Sequence, residues 1–373
     1  MVLHFGAALR VQPYFGYRDA SRLRISARVL RQDKPRFEGR GDMRTFFTML
    51  RQFASHEVAG VPVRLEIRYA DGSVENQERM SDKEGFVHFD VTLSQHREAP
   101  AHTEWETVAF HWDSGEGLLK ADGHVLFPGR HAKYGIISDI DDTVMETGIT
   151  GGLRQLARNW RRVLAQLPRE RELVGGAEVF YDAIGGGQVR DEHSAEDHAG
   201  ERQEASHNPF FYISSSPWNL FSYLVAFQRS RALPLGPMAL RDWGLNRETF
   251  GSSSHGAHKA EALDAIIGFY PDLSFALIGD DTQGDLIAFG AAVKRHPDRV
   301  RAVFIRRAGE PFNVRELEAK KAVEAAGVPL WLGDDYATGR DFLAKLDLES
   351  DSAAQAIVKT VEKAGKAKTR AAT

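Results

Sequence analysis

Three aspartates and a threonine follow an apolar run near the middle of the chain. The run Tyr134–Ile137 is typical of a buried strand, and Asp139, Asp141 and Asp142 come directly after it with Thr143 behind them. Carboxylates at one strand end repel one another, and burying them without a positive partner is costly. A hard divalent cation such as Mg²⁺ suits ligands that are all oxygen. The stretch therefore predicts an anion or metal site.

Two simpler interpretations compete with a metal site. A calcium loop of the D-x-D-x-[DN]-G type is excluded, because Val144 stands where that loop needs glycine and Thr150 where it needs its last glutamate. An acidic surface turn is the other alternative. Later segments of the chain weaken it, because they supply partners for the same site.

Three further segments carry polar residues just past an apolar run or at the start of a helix. They are Phe211-Tyr-Ile-Ser214-Ser-Ser-Pro-Trp218, His258-Lys259 at the start of a helix to Phe269, and Ala276-Leu-Ile-Gly279-Asp280-Asp281-Thr-Gln-Gly-Asp285. The carboxyl ends of strands in an open α/β sheet lie along one edge, where ligands bind. We expect the segments to converge there.

The residue types fit phosphoryl transfer. Asp139 can act as a carboxylate nucleophile and form an acyl phosphate, while Asp141 protonates the leaving oxygen and later deprotonates water. Lys259 offsets the charge that keeps a carboxylate from a phosphate dianion, and Ser214 with nearby backbone N–H groups holds phosphate oxygens.

The same set of residues predicts a Mg²⁺ site. Asp139, Asp141 and Asp280 are the predicted metal ligands, and Asp281 and Asp285 are predicted to hold those ligands in place from behind. Thr143 and Ser215 join Ser214 and Lys259 as the predicted contacts to substrate.

Composition excludes several classes of protein. A formal net charge of -4 argues against nucleic-acid binding, and the absence of cysteine excludes disulfides and thiolate catalysis. The first ten residues lack the pattern of a signal peptide, and no apolar run is long enough to span a membrane. We expect a cytoplasmic protein.

Hydrophobic patterning divides the chain in two. Residues 1–130 contain period-two alternation, as at Leu23–Val29 and Val61–Tyr69, which predicts a mostly-β, β-sandwich-like domain with one helix at Met43–Phe53. Residues 131–348 alternate apolar strands with helices. This rhythm predicts an α/β domain with a parallel sheet covered by helices on both faces.

Three segments depart from this pattern. A basic helix with an apolar stripe, Leu153–Leu167, lies in a predicted helical insert at 150–175. We favour packing of this stripe on its own domain, and contact with an anionic membrane is the alternative. Residues 185–208 predict a mobile solvated loop, and residues 349–373 a frayed tail.

The four motifs, in this order, resemble the signatures of the haloacid dehalogenase superfamily. More narrowly, they are similar to the actin-patch phosphatidate phosphatase family. The resemblance extends to Leu235-Gly-Pro-Met-Ala-Leu-Arg-Asp-Trp243 and, in the β-region, to Arg28-Val-Leu30 and Asp82-Lys-Glu-Gly-Phe86. It departs from the family at Asp281, where serine is expected.

The resemblance implies a Rossmann-like phosphatase core that hydrolyses phosphatidate to diacylglycerol with Mg²⁺, acting at the periphery of a membrane. Two alternatives stay open at this point. One is the same chemistry on a soluble phosphomonoester. The other is a non-catalytic protein that binds phosphatidate or serves as a scaffold.

Overall fold

The computed structural model describes residues 9–31, 56–140, 174–187, 205–241, 253–307 and 311–348. Two β-sheets organise these residues. The strands of the first sheet end at Phe127 and those of the second begin at Gly135. The chain therefore changes sheet close to the predicted boundary at residue 130, while the division into domains itself stays a prediction.

The first sheet contains nine strands of the described residues. They are β1 (Leu9–Pro13), β2 (Gly16–Arg18), β3 (Arg22–Arg31), β4 (His56–Glu57), β5 (Pro62–Arg68), β6 (Val74–Met80), β7 (Phe86–Thr92), β8 (Glu104–Asp113) and β9 (Leu118–Phe127). The main order is β1-β3-β2-β9-β8-β5-β6, and β4 and β7 also pair with β3. The predicted mostly-β character of this region is confirmed.

Strong curvature lets the first sheet enclose a core. β7 reaches β8 only through β3, β2 and β9, yet the ring centroids of Phe89 on β7 and Phe110 on β8 are 5.8 Å apart. The alternating residues Leu23, Ile25 and Ala27 all point into this core. The period-two pattern thus marks the side chains on the inner face of the sheet. The same alternation is expected where two sheets pack face to face, as in a sandwich.

The second sheet is parallel and contains six strands of the described residues. They are β10 (Gly135–Asp139), β11 (Phe210–Pro217), β12 (Met238–Arg241), β13 (Phe275–Asp280), β14 (Val300–Arg306) and β15 (Leu330–Gly333). Their order is β12-β11-β10-β13-β14-β15. The chain builds outward from β10 on one side and then returns to the other, so a crevice forms between the ends of β10 and β13.

Helices cover both faces of the parallel sheet, as predicted. They are α1 (Ala177–Gly185), α2 (Phe221–Ser230), α3 (Ser253–Phe269), α4 (Asp285–Arg295), α5 (Val314–Ala325) and α6 (Tyr336–Lys345). One apolar cluster unites α1, α2 and α6 with one face of the sheet, and a second unites α3, α4 and α5 with the other. Strands that are buried on both faces need mainly apolar side chains, and in β10, β11 and β13 the apolar run gives way to polar residues only toward the carboxyl end.

The two sheets share apolar cores. Tyr14 and Phe86 of the first sheet belong to the cluster on the α1 face, and Leu126 belongs to the cluster on the α3 face. Tyr17 of β2 packs edge-on against Phe269 at the end of α3, with 4.8 Å between ring centroids. The first sheet therefore completes the core of the second.

Several predictions concern residues outside the described ranges. They are the helix at Met43–Phe53, nearly all of the insert at 150–175, the central part of the loop at 185–208 and the tail at 349–373. Among the helices that the structure does describe, none combines the length and apolar character needed to cross a bilayer.

Candidate active site

Acidic side chains meet at the carboxyl edge of the parallel sheet. Asp139 is the last residue of β10, Asp280 is the last of β13, and Asp285 begins α4. All three are buried, and each can offer one carboxylate oxygen within 4.8 Å of the others. The predicted convergence of the two strand ends is therefore present in the structure.

Lys259 supplies the positive charge in this cluster. Its side chain comes from α3, and Nζ lies 2.9 Å from Oδ1 of Asp139 and also donates a hydrogen bond to Oδ1 of Asp285. Burial alone would lower the pKa of Lys259, but the charges of Asp139, Asp285 and Asp280 outweigh it and raise the pKa above its usual value. The lysine is therefore charged at physiological pH.

Asp280 is a buried carboxylate whose charge is incompletely compensated. Burial raises the pKa of Asp280 to about 7, the charge of Asp285 adds to the increase, and Lys259 opposes it. Its Oδ1 accepts hydrogen bonds from the backbone N–H of Thr282 at 2.5 Å and from the Thr282 hydroxyl at 2.6 Å. A strand end that holds several carboxylates around one lysine is suited to a further cation.

These donors fit Mg²⁺. They are hard carboxylate oxygens, they come from rigid strand and helix ends, and one lysine does not neutralise three of them. Asp285 was predicted to support the ligands from behind, and in the structure its carboxylate lies within the cluster itself. It accepts hydrogen bonds from the backbone N–H of Asp280 at 3.1 Å and from Lys259, so it links Asp280 to Lys259.

Asp281 faces away from this cluster. Its Oδ2 lies 2.7 Å from Nε of Arg307, and its backbone N–H donates to the carbonyl of Arg306 at 3.1 Å. The guanidinium of Arg307 in turn lies over the ring of Phe312, with Cζ 3.9 Å from the ring centroid. Asp281 thus fastens the end of β13 to β14, and its predicted role in holding the metal ligands stays a prediction.

The serine segment is also buried at the edge of the sheet. Ser214, Ser215 and Ser216 are all buried, and Oγ of Ser214 accepts a hydrogen bond from the backbone N–H of Ser216 at 2.9 Å. The pairing of β11 with β12 is irregular between Ile213 and Pro217. This irregularity frees the backbone around the serines from a regular ladder, as a backbone that binds phosphate oxygens requires.

Asp141 and Thr143 lie outside the described residues. Their predicted roles as acid–base, metal ligand and substrate contact stay predictions. The same holds for Asp142, which follows Asp141 in the chain.

A hydroxyl network under Asp139 was not predicted. The hydroxyl of Ser138 donates to the carbonyl of Asp139 at 2.7 Å and lies 2.6 Å from the hydroxyl of Tyr181 on α1. Burial raises the pKa of Tyr181 well above its usual value, so this phenol stays protonated. Ser138 stands inside the first motif, but nothing in the local sequence indicates that Tyr181 is its partner.

Comparison with known proteins bears on residues 134–307. This segment matches the family model described as phosphatidate phosphatase APP1, catalytic domain. Phosphatidate phosphatase APP1 of Saccharomyces cerevisiae is 27% identical over 183 residues, which cover 48% of this chain and 27% of the yeast protein. The chain thus spans about a quarter of that relative. The resemblance to the actin-patch phosphatidate phosphatase family is confirmed for this segment, which contains all four motifs.

Among solved structures, the chain is similar to Bifidobacterium dentium β-glucuronidase complexed with coumarin-3-O-glucuronide. The sequence identity is 10%, the TM-score is 0.23, and the match covers 88% of this chain and 60% of that chain. Similarity at this level has no bearing on the fold or the function.

Proposed function

We propose that this protein is a Mg²⁺-dependent phosphatidate phosphatase, which hydrolyses phosphatidate to diacylglycerol and phosphate through an aspartyl phosphate. The observation that carries the proposal is the buried cluster of Asp139, Lys259, Asp280 and Asp285, which lies inside the segment that matches the APP1 catalytic domain. Counted from β10, the strand order is 3-2-1-4-5-6. That order supports a Rossmann-like core of the haloacid dehalogenase type.

In the first step an oxygen of Asp139 attacks phosphorus, and the bond from phosphorus to the glycerol oxygen breaks. Asp141 donates a proton to that oxygen as diacylglycerol leaves. In the second step Asp141 accepts a proton from water, which attacks the aspartyl phosphate and releases inorganic phosphate. Asp139 is regenerated, so the carboxylate is a true nucleophilic catalyst.

Lys259 holds the nucleophile in place. With Nζ at 2.9 Å from Oδ1 of Asp139, it fixes one carboxylate oxygen and leaves the other for attack. Its charge also lowers the repulsion between Asp139 and the incoming phosphate dianion. Bound Mg²⁺, held by Asp139, Asp141 and Asp280, would supply further positive charge against the phosphate oxygens.

Ser214 and Ser215 are the proposed contacts to the phosphate, together with Thr143. The hydroxyl of Ser214 is held by the N–H of Ser216, so its direction is set before substrate arrives. Because phosphatidate is a membrane lipid, we extend the proposal to a cytoplasmic protein that works at the surface of an anionic membrane. The basic helix predicted at Leu153–Leu167 supports this extension.

The test is phosphate release from phosphatidate in mixed micelles with Mg²⁺, beside a panel of soluble phosphomonoesters. We expect turnover of phosphatidate that EDTA abolishes and that Asp139→Asn reduces by about 10³-fold or more, as the loss of a nucleophile does. The matched control is Asp272→Asn, an exposed carboxylate on the loop before β13, which should retain wild-type activity.

The outcomes separate the candidate functions. Turnover of soluble esters alone would retain the chemistry and reject the lipid substrate. Full activity of Asp139→Asn would reject the aspartyl phosphate. Binding of phosphatidate without turnover of any ester would leave the non-catalytic alternative.

A further inference from the structure

Arg28 of the first sheet reaches across to the parallel sheet. Its Nη1 donates to Oδ1 of Asn219 at 2.6 Å, its Nε to the carbonyl of Glu84 at 2.9 Å, and its Nη2 to Oε1 of Glu57 at 3.0 Å. The guanidinium also lies 4.5 Å from the ring centroid of Phe86. A buried guanidinium with three directed hydrogen bonds and a ring beneath it has one orientation only.

The turn Asp82–Phe86 is shaped to meet Arg28. Oδ1 of Asp82 accepts from the backbone N–H groups of Glu84 at 2.9 Å and Phe86 at 2.8 Å, which closes the turn. Gly85 has φ +77, and a Cβ there would lie 2.6 Å from the carbonyl oxygen of Val29. The turn therefore presents one carbonyl and one aromatic ring to Arg28. This accounts for a motif that the phosphatase chemistry does not use.

Trp218 is held by the same part of the first sheet. Its ring lies 4.5 Å from that of Tyr14 and 5.8 Å from that of Phe86, measured between centroids. Tyr14 also packs edge-on against Phe221, at 4.9 Å. We call Tyr14, Arg28 and Phe86 the β-sheet clamp. The clamp contacts the chain at the short 3₁₀ turn Trp218–Leu220, which connects β11 to α2.

Trp218 and Asn219, which the clamp contacts, directly follow the predicted phosphate-binding segment. Ser214 is separated from Trp218 only by Ser215, Ser216 and Pro217, and the three serines are all buried. Pro217 has φ −71, and its ring allows little variation of that angle. With φ of Pro217 restricted, a displacement of Trp218 and Asn219 has one torsion fewer in which to be absorbed before it reaches the serines.

We infer that the β-sheet clamp positions the Ser214–Asn219 segment, so that Arg28 is a positioning residue for the phosphate-binding serines and the first sheet is part of the catalytic unit. The clamp lies outside residues 134–307, so the match to the catalytic domain does not include it. The expected effect on kcat rests on the proposed function. The expected effects on the conformation of the segment and on orthophosphate binding do not require turnover.

The kinetic test compares Arg28→Ala with Arg22→Ala. Arg22 is a matched control because it also belongs to β3 and also reaches the parallel-sheet half, where Nη2 donates to the carbonyl of Phe269 at 2.7 Å. That contact is at the end of α3, ten residues beyond Lys259. We expect kcat on phosphatidate to fall about 10- to 100-fold in Arg28→Ala, as a small misplacement of a positioning group does, and less than about twofold in Arg22→Ala.

Two further variants separate positioning from folding. Asn219→Ala removes the partner of Arg28 from the other side, and Arg28→Ala/Asn219→Ala should be no slower than either single variant. Arg28→Lys retains the positive charge but places its donors on one nitrogen, which cannot reach all three partners of Arg28, so it should recover part of the lost kcat. All variants are compared at equal folded fraction, determined by circular dichroism. If the losses of kcat in Arg28→Ala and Asn219→Ala multiplied in the double variant, the two residues would act independently and the inference would be overturned.

A third measurement needs no turnover. Amide hydrogen exchange of residues 211–219 should accelerate about tenfold or more in Arg28→Ala and in Asn219→Ala but not in Arg22→Ala. Binding of inorganic orthophosphate, measured by calorimetry, should weaken in the same two variants. If wild-type protein hydrolyses no phosphatidate yet these shifts appear, the proposed function fails and the clamp stands. If exchange and orthophosphate binding are unchanged in Arg28→Ala, the clamp fails whatever the activity.

Discussion

At the scale of single residues, one lysine decides the electrostatics of the site. Lys259 is buried among Asp139, Asp280 and Asp285, and removing its charge would leave carboxylates in a region from which water is excluded. Breaking a buried ion pair from one side costs more than the pair contributes, because the remaining charge has no partner. The lysine therefore serves the fold as well as the proposed chemistry.

We predict that Lys259→Met destabilises the metal-free protein by about 3–5 kcal/mol. The pKa of Lys259 is higher in the folded protein than in the unfolded chain. The stability that its charge contributes is therefore complete below the pKa of an unfolded lysine, about 10.4, and does not vary near neutrality. Burial already raises the pKa of Asp280 to about 7 against the opposing charge of Lys259, so loss of that charge raises it further. A carboxyl pKa that is raised on folding means stability lost as pH rises. The destabilisation should therefore grow between about pH 5 and pH 8.

Urea unfolding in EDTA across this pH range measures the effect. Lys294→Met is the control, because Lys294 is exposed on α4 and should change stability little. If Lys259→Met lowered the free energy of unfolding equally at pH 5 and at pH 8, the electrostatic explanation would be contradicted.

At the scale of elements, the packing of β13 against the start of α4 sets the distance between carboxylates. A Cβ on Gly279 would lie 2.6 Å from Oδ2 and 2.7 Å from Cβ of Asp285. Only glycine allows this approach, which lets Asp285 accept from the N–H of Asp280 and from Lys259 together. The glycine before Asp280 is thus a requirement of the site.

We predict that Gly279→Ala destabilises the protein by about 1–3 kcal/mol, as overpacking does, and lowers phosphatase activity by displacing Asp285. Gly268→Ala is the matched control. Gly268 lies in α3 with open space around its Cβ position, so alanine there should stabilise the helix by up to about 1 kcal/mol. Thermal unfolding and initial rates measure both. Wild-type activity in Gly279→Ala would show that Asp285 tolerates displacement.

The elements of the parallel sheet could be predicted because their burial is uniform. Strands such as β10 and β13 are apolar along their length, and polar residues mark where each one ends. β6 could not be predicted in this way. Its sequence Val-Glu-Asn-Gln-Glu-Arg-Met has no apolar alternation, since it lies at the edge of its sheet with most side chains exposed. Pairing with β5 makes it a strand.

The site was partly predictable for a related reason. Asp139 and Asp280 end neighbouring strands, so topology alone brings them together, and Lys259 was found from its motif. The contact between Arg28 and Asn219 joins residues 191 positions apart, one in β3 and the other in the 3₁₀ turn after β11. No local pattern encodes such a contact, and neither the Ser138–Tyr181 pair nor the Asp281–Arg307 pair has a local signal.

At the scale of the whole molecule, the two sheets should unfold together. Tyr17 of the first sheet lies against Phe211 of β11, Phe269 of α3 and Tyr270, with ring centroids 4.8–6.1 Å apart. Arg18 adds a backbone link, because its carbonyl accepts from the hydroxyl of Tyr270 at 3.2 Å. A chain whose cores interlock in this way has no low-energy state with only one sheet formed.

We predict a single calorimetric transition whose calorimetric and van't Hoff enthalpies agree. Tyr17→Ala should lower the free energy of unfolding by about 3 kcal/mol, since it removes a large aromatic side chain from the shared core. The transition should stay single in this variant. Two resolved transitions in the wild-type protein would instead mean that the sheets are independent domains.

The position of β10 in its sheet has a consequence for synthesis. Its neighbours are β11, which begins about seventy residues after β10 ends, and β13, which the ribosome adds about sixty residues beyond the end of β11. Until Phe275–Asp280 emerges, one side of a buried, mainly apolar strand has no partner, and unpaired strand edges promote association between chains. The strand that carries Asp139 therefore needs protection while the chain grows, and the strand order that creates the crevice at its end creates that need.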